Sequence, residues 1–252
     1  MDVSVQYGVT MVLPEMISAP GAILLVCDHA SNVVPRDISL GVHQDVMRRH
    51  VAIDIGAASL TRVLSARLAA PAILATVSRL VIDLHRPTDH PGLIPLTSDG
   101  HAVPGNITAD RAGRIARFHA PYHRAIERHI RIQRPELIVA IHSFTPQLEQ
   151  DGAPRPWEVG ILHNRQSVAA RDAIARFREA GIVTGDNQPY SGRALNMTLN
   201  RHGEGQGIAA FSIEVRNDLI SIAAGVDAWA AIIAPVITQV RNGLAQNAAL
   251  AT

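Results

Sequence analysis

Short continuous apolar runs alternate with longer stretches of helical periodicity along most of the chain. Residues 22–27 (AILLVC), 72–76 (AILAT), 80–84 (LVIDL), 136–141 (ELIVAI), 158–162 (EVGIL) and 208–215 (IAAFSIEV) read as strands. Apolar runs without polar alternation suit strands covered on both faces. Between them, residues 56–68 carry Ala57, Leu60, Leu64 and Leu68 on one helical stripe, and residues 109–132, 167–180 and 225–245 also read as helices. Thr108 is positioned to cap the second helix, Pro121 to kink it and Gly181 to end the third. Strands alternating with helices predict an α/β fold, a three-layer sandwich built on a mostly parallel mixed sheet. The polar stretch 147–156 reads as a surface loop rather than a linker, so residues 1–252 read as a single domain.

Composition narrows the function classes. A chain of 252 residues, 47% hydrophobic, can bury a core without disulfide staples. The single cysteine, Cys27, excludes a disulfide framework and a multi-cysteine metal knuckle, and within its strand it reads as inert core. A net charge of +1 advertises neither nucleic acid nor a membrane surface. All 23 basic residues are arginine, the better bidentate clamp for a carboxylate. The longest apolar candidate for a membrane span, residues 228–237, is short and contains Pro235. The opening MDVSVQYGVT lacks a signal-peptide pattern, so a cytoplasmic location is the expectation.

In open α/β sheets, sites gather at the carboxyl ends of strands. His29 follows the first run, His142 the fourth and His163 the fifth, while Glu214 closes the last. Two histidines from strand ends with one carboxylate form the donor set that holds zinc and keeps a position open for water. Asp54, in HVAIDIGA just ahead of a helix, is the carboxylate expected to join His29 and His142, with helix N-capping as its competing reading. Asp28 adjoins His29 and would point to the opposite face of an extended strand end, and Asp83 is flanked by Arg79 and Arg86. Glu214 is expected to be buried, which raises its pKa towards the range useful for proton transfer; an ion pair with Arg216, two residues on, is the alternative. Ser31 and Ser143 lack a nucleophile elbow, and HGEGQG leads into a strand rather than a helix, so it is no dinucleotide fingerprint. His119 and His123 lie four apart with Pro121 between them; His119 reads as a surface or core residue and His123 as a substrate contact.

Six segments in order, LLVCDHASNVVP, SRLVIDLHRP, PYH, IHSFTP, NQPYSG and IEVRNDLI, between Leu24 and Ile220, resemble the N-formylglutamate amidohydrolase family. The resemblance implies a phosphorylase/hydrolase-like fold related to zinc-dependent exopeptidases and amidases, and metal-assisted hydrolysis of a linear amide. Asp28-His29-Ala30-Ser31 stands where the well-known branch has Pro-His-Ser-Gly, and His85 where it tends to have Asn, which sets this chain in a separate branch. The expectation is a zinc-dependent amidohydrolase of an N-formyl or N-acyl amino acid, with His29, Asp54 and His142 on the metal. Manganese or cobalt would also suit those donors. Glu214 would assist the attacking water. Arg216, Arg86, Arg79, Arg193, Asn217 and His123 would contact a small substrate bearing a carboxylate. The chain carries no expectation of nucleic acid or membrane partners and leaves homo-oligomerisation open. A non-catalytic binding protein for an acidic small molecule on the same fold is the alternative.

Overall fold

The computed structural model describes residues 5–250 apart from 7, 8, 151 and 166, so part of the opening MDVSVQYGVT, read above for a signal-peptide pattern, lies outside the described residues. Seven strands form one sheet: β1 (Glu15–Ile17), β2 (Ile23–Cys27), β3 (Ala72–Leu74), β4 (Leu137–Phe144), β5 (Val159–Leu162), β6 (Thr184–Asp186) and β7 (Ala209–Arg216). Their spatial order is β6-β5-β7-β4-β2-β3-β1. The four central strands, β7, β4, β2 and β3, run parallel, whereas β5 pairs antiparallel with β7 and β1 antiparallel with β3. Every residue of β2 and β4 is buried, as two-sided cover by helices requires. The expected α/β architecture with its mostly parallel mixed sheet is therefore present.

Five helices matter for the site: α1 (Ala57–Leu68), α2 (Ala120–Gln133), α3 (Val168–Glu179), α4 (Met197–His202) and α5 (Ala223–Leu250). Helix α5 packs against both α1 and α3, and α2 against α4. The helix expected over 109–132 is divided. Asp110, not Thr108, caps its first turn by accepting from Gly113 N–H at 2.9 Å, a π-turn follows at Ile115–His119, and Pro121 lies in the first turn of α2. The π-turn just ahead of it, in which the Ala120 N–H reaches back to Ile115 O, interrupts the α-helical ladder where the proline would otherwise clash. Ala223–Asn247 is long and apolar enough to cross a membrane, unlike the shorter run read from the sequence. Its Trp229, Ile233, Ile237 and Val240 are buried in the common core.

Residues 80–84 form no strand, contrary to the periodic reading. Their backbone turns, with Val81 N–H and Ile82 N–H both bonded to Ser78 O. Asn106 donates to Leu80 O at 2.8 Å and Arg114 to Val81 O at 2.8 Å, so side chains satisfy a buried loop. Cys27 is fully buried, and burial pushes its thiol pKa up.

Gly56 begins α1 with φ of 81°, and a Cβ there would lie 2.2 Å from Ile220 O. Both the left-handed backbone and the close approach require glycine. Gly56→Ala should destabilise the fold by about 2 kcal/mol or more, lowering the thermal midpoint by about 5 °C. Circular dichroism melting checks this; an unchanged midpoint would show that the entry to α1 is free to move.

Candidate active site

His142 and Glu214 lie directly opposite each other on the parallel neighbours β4 and β7. In-register residues on adjacent strands share a face at a spacing of about 4.8 Å. His29 follows β2, and the Asp54 N–H donates to His29 O at 3.1 Å, which fixes the turn before α1 beside that strand end. No side chain caps α1, so the capping alternative for Asp54 is not what the structure contains.

The side chains converge. Asp54 Oδ2 lies 2.8 Å from His142 Nδ1 and 3.3 Å from His29 Nδ1. Arg79 donates to Asp54 Oδ1 at 3.1 Å and to Asp83 Oδ2 at 3.4 Å. Asp83 Oδ1 faces His29 Nε2 at 2.7 Å. Asp28 Oδ2 lies 3.2 Å from His142 Nε2 and 3.0 Å from His85 Nδ1. Glu214 is 7% exposed, and its Oε2 has no hydrogen-bond partner among the described residues.

Electrostatics follow from this packing. Burial raises the Glu214 pKa to about 7, with nearby Asp54 adding to the rise and the cations of the site opposing it. Burial works against ionised Asp54, yet His29, His142 and Arg79 hold its carboxyl well below the ordinary range. Burial also opposes a charged His142, and its bonds to Asp28 and Asp54 overcome this and push its pKa well up.

His29, Asp54, His85, His142 and Glu214 line one cavity of about 110 Å³, together with Arg79, Arg86, Asp83 and Tyr190. A larger recess of about 670 Å³ around Asp37 and Arg117 gathers no comparable donor set. Chemistry rather than size therefore singles out this cavity. His29, Asp54 and His142 each offer a donor, all within 4.8 Å of one another, and all are buried. Two imidazoles and one carboxylate, beside an unpartnered carboxylate oxygen, suit a divalent cation with a position left for water. Asp28, His85 and His142 form a second group of that kind, but Asp28 does not border the cavity.

The structure thus brings together His29, Asp54, His142, Glu214, Arg79 and Arg86. It does not bring the others there. Arg216 bonds Asp218 at 2.8 Å rather than Glu214, and Asn217 opens the short turn that follows β7. Arg193 lines a separate recess of about 510 Å³ next to His119. His123 is buried against His202, with Nδ1 and Nε2 2.8 Å apart. Sequence reading passed over Tyr190, which lines the cavity with its hydroxyl 3.1 Å from Arg155. It also passed over Thr198, whose hydroxyl donates to Asp28 Oδ1 at 2.8 Å. Tyr190 stood within NQPYSG, but nothing local marked Thr198.

A family model of N-formylglutamate amidohydrolases matches residues 21–221. Among solved structures, gene product Atu2144 from Agrobacterium tumefaciens is 31% identical, with a TM-score of 0.87 over 92% of this chain and 96% of that chain. N-formylglutamate amidohydrolase from Ralstonia eutropha JMP134 is 19% identical, with a TM-score of 0.61 over 93% of this chain and 97% of that chain, a likeness of fold. No curated protein matches the sequence.

The raised Glu214 pKa has a consequence for stability. Between its ordinary 4.5 and about 7, Glu214 binds more proton in the folded chain than in the unfolded one. Its contribution is therefore present at low pH and is lost as pH rises towards 7. Glu214→Gln cannot lose a proton, so its stability relative to the parent should grow as pH rises through that window. Urea unfolding of both proteins, stripped with a chelator, across pH 4.5 to 7.5 checks this; a pH-independent difference would place the Glu214 pKa near its ordinary value.

Proposed function

The chain belongs to the N-formylglutamate amidohydrolase family, and from that premise we propose that it is a metal-dependent hydrolase that cleaves the amide of an N-formyl or N-acyl amino acid. The observation that carries this reading is the buried, unpartnered Oε2 of Glu214 on the cavity lined by His29, Asp54 and His142. A buried oxygen left without a partner costs stability, which points to a functional reason for it, and a carboxyl near pKa 7 is suited to taking and returning a proton.

His29, Asp54 and His142 would hold a divalent cation, with zinc the first candidate for two imidazoles and a carboxylate. When bound, such an ion supplies Lewis acidity and makes water acidic enough to attack at neutral pH. Glu214 accepts the proton of the attacking water as oxygen adds to the carbonyl carbon. It then delivers that proton to the departing nitrogen as the C–N bond breaks, leaving formate or another carboxylate and a free amine. Arg79 is committed to Asp54 and Asp83, where it restrains the ligand carboxylate. Arg86 has only a 3.6 Å pairing with Asp83 and borders the cavity, so it is the arginine free to orient a substrate carboxylate.

Expression with zinc supplied should give about one equivalent per chain, and His29→Ala and His142→Ala should each lose most of it. Less than about a tenth of an equivalent in the parent would overturn the metal assignment. Glu214→Gln should keep the metal and lose about 10²–10⁴-fold in kcat, measured on N-formyl and N-acyl amino acids. A folded, metal-loaded and fully active Glu214→Gln enzyme would remove Glu214 from the reaction.

Arg86→Ala should raise KM for substrates with a free carboxylate about 10–100-fold while changing kcat little. Substrates with that carboxylate esterified should lose this sensitivity. Equal effects on both would place the carboxylate elsewhere.

A further inference from the structure

The two histidines of the proposed metal set share an arrangement that reaches past the ligands. His29 turns Nδ1 towards Asp54 Oδ2 at 3.3 Å and Nε2 towards Asp83 Oδ1 at 2.7 Å. His142 turns Nδ1 towards the same Asp54 oxygen at 2.8 Å and Nε2 towards Asp28 Oδ2 at 3.2 Å. Both Nδ1 atoms therefore converge on one cavity-lining carboxylate, and each Nε2 ends on a different one, Asp83 elsewhere on the cavity wall and Asp28 away from it. A carboxylate can only accept, so an imidazole nitrogen facing one carries the proton; a cation held beside Asp54 would displace the proton from each Nδ1, whereas Nε2 keeps its own.

We infer that Asp28 and Asp83 are positioning residues that keep the proton on Nε2 of His142 and His29, so that both rings meet the cation through Nδ1. The inference rests on the metal reading above. Outer carboxylates of this kind orient imidazole ligands and increase their basicity.

The surrounding structure braces both carboxylates through a single residue. His85 bonds Asp83 Oδ1 through its backbone N–H at 2.9 Å and meets Asp28 Oδ2 through ring Nδ1 at 3.0 Å. Its backbone is pinned on either side. His123 Nε2 bonds Leu84 O at 2.9 Å, and His119 Nε2 bonds Arg86 O at 3.0 Å. The histidine pair on the helical segment, which contributes nothing to the cavity wall, thus fixes the loop that carries His85.

Histidine side-chain ¹H–¹⁵N spectra of the zinc-loaded parent read the arrangement directly. Two rings should carry the proton on Nε2 and lose it from Nδ1 on adding Zn²⁺. The Nε2 signal of one should move in Asp83→Asn and that of the other in Asp28→Asn, which assigns each ring to its carboxylate. Competition with a zinc chelator should give a 10- to 100-fold weaker affinity for Asp28→Ala and Asp83→Ala. Asn, which retains an acceptor, should recover most of it. Zinc on Nε2 of either ring, or folded Ala variants with parental zinc affinity, would overturn the inference while leaving the metal reading intact. Should an Ala variant fail to fold, the parent spectrum still decides. A parent that binds no Zn²⁺ at all would overturn both.

Discussion

One carboxylate oxygen, Asp54 Oδ2, lies 2.8 Å from His142 and 3.3 Å from His29 and joins three segments with no local connection. They are the strand end after β2, the turn into α1 and the interior of β4. All three side chains are buried, and a buried ion is tolerated only when it is paired. The surrounding charges follow from that need. Arg79 spans Asp54 and Asp83, His29 bridges the same two, and His142 bridges Asp54 and Asp28. Removing one member strands its partner in a dry environment, at a cost of about 3–5 kcal/mol for a buried pair. The group therefore stands as a unit, and the glycine that admits the chain into α1 is part of its foundation.

The sheet was legible where strands are covered on both faces. β2, β4, β5 and β7 announced themselves as unbroken apolar runs with little else for such runs to be. Residues 80–84 carry the same signature for a different reason. They are equally buried, but Asn106 and Arg114 satisfy carbonyls that a strand would have paired. Hydropathy reports burial and is silent about who accepts or donates. The edge strands were missed for the opposite reason: Thr184–Asp186 is short and polar, and only its neighbour β5 makes it a strand.

The site divides along a similar line. Its polar residues at the carboxyl ends of strands could be found because the fold class says where to look. Asp54 could be found because it is an acidic residue in an apolar setting beside a helix. The arginines could not be sorted, because a guanidinium on a long stem takes whichever carboxylate the tertiary structure offers. Arg216 lies two residues from Glu214, yet the turn that follows β7 brings Asp218 closer. Arg193 belongs to a recognisable segment but faces another recess. Asp28, read as lying on the opposite face from His29 in an extended strand end, instead sits with it in a turn and joins the same cluster, meeting His142 at 3.2 Å and His85 at 3.0 Å.

Placing Glu214 and His142 on neighbouring strands has a consequence for how such a site can change. Their separation is set by the sheet, whose spacing varies little, so the distance from the proposed proton acceptor to the proposed ligand His142 is as rigid as the backbone ladder. Arg86 and Tyr190, by contrast, reach the cavity from irregular segments, and Tyr190 is held by Arg155 on the loop after β4. Substitution in those segments can reshape the cavity wall without moving Glu214. Asp28 and His85, two of the positions at which the sequence departs from the Pro-His-Ser-Gly and Asn of the family it resembles, meet each other at 3.0 Å beside the proposed ligand set. His85 there braces Asp28 and Asp83 together. His85 thus couples the support of the charged cluster to the loop that carries Arg86 to the cavity.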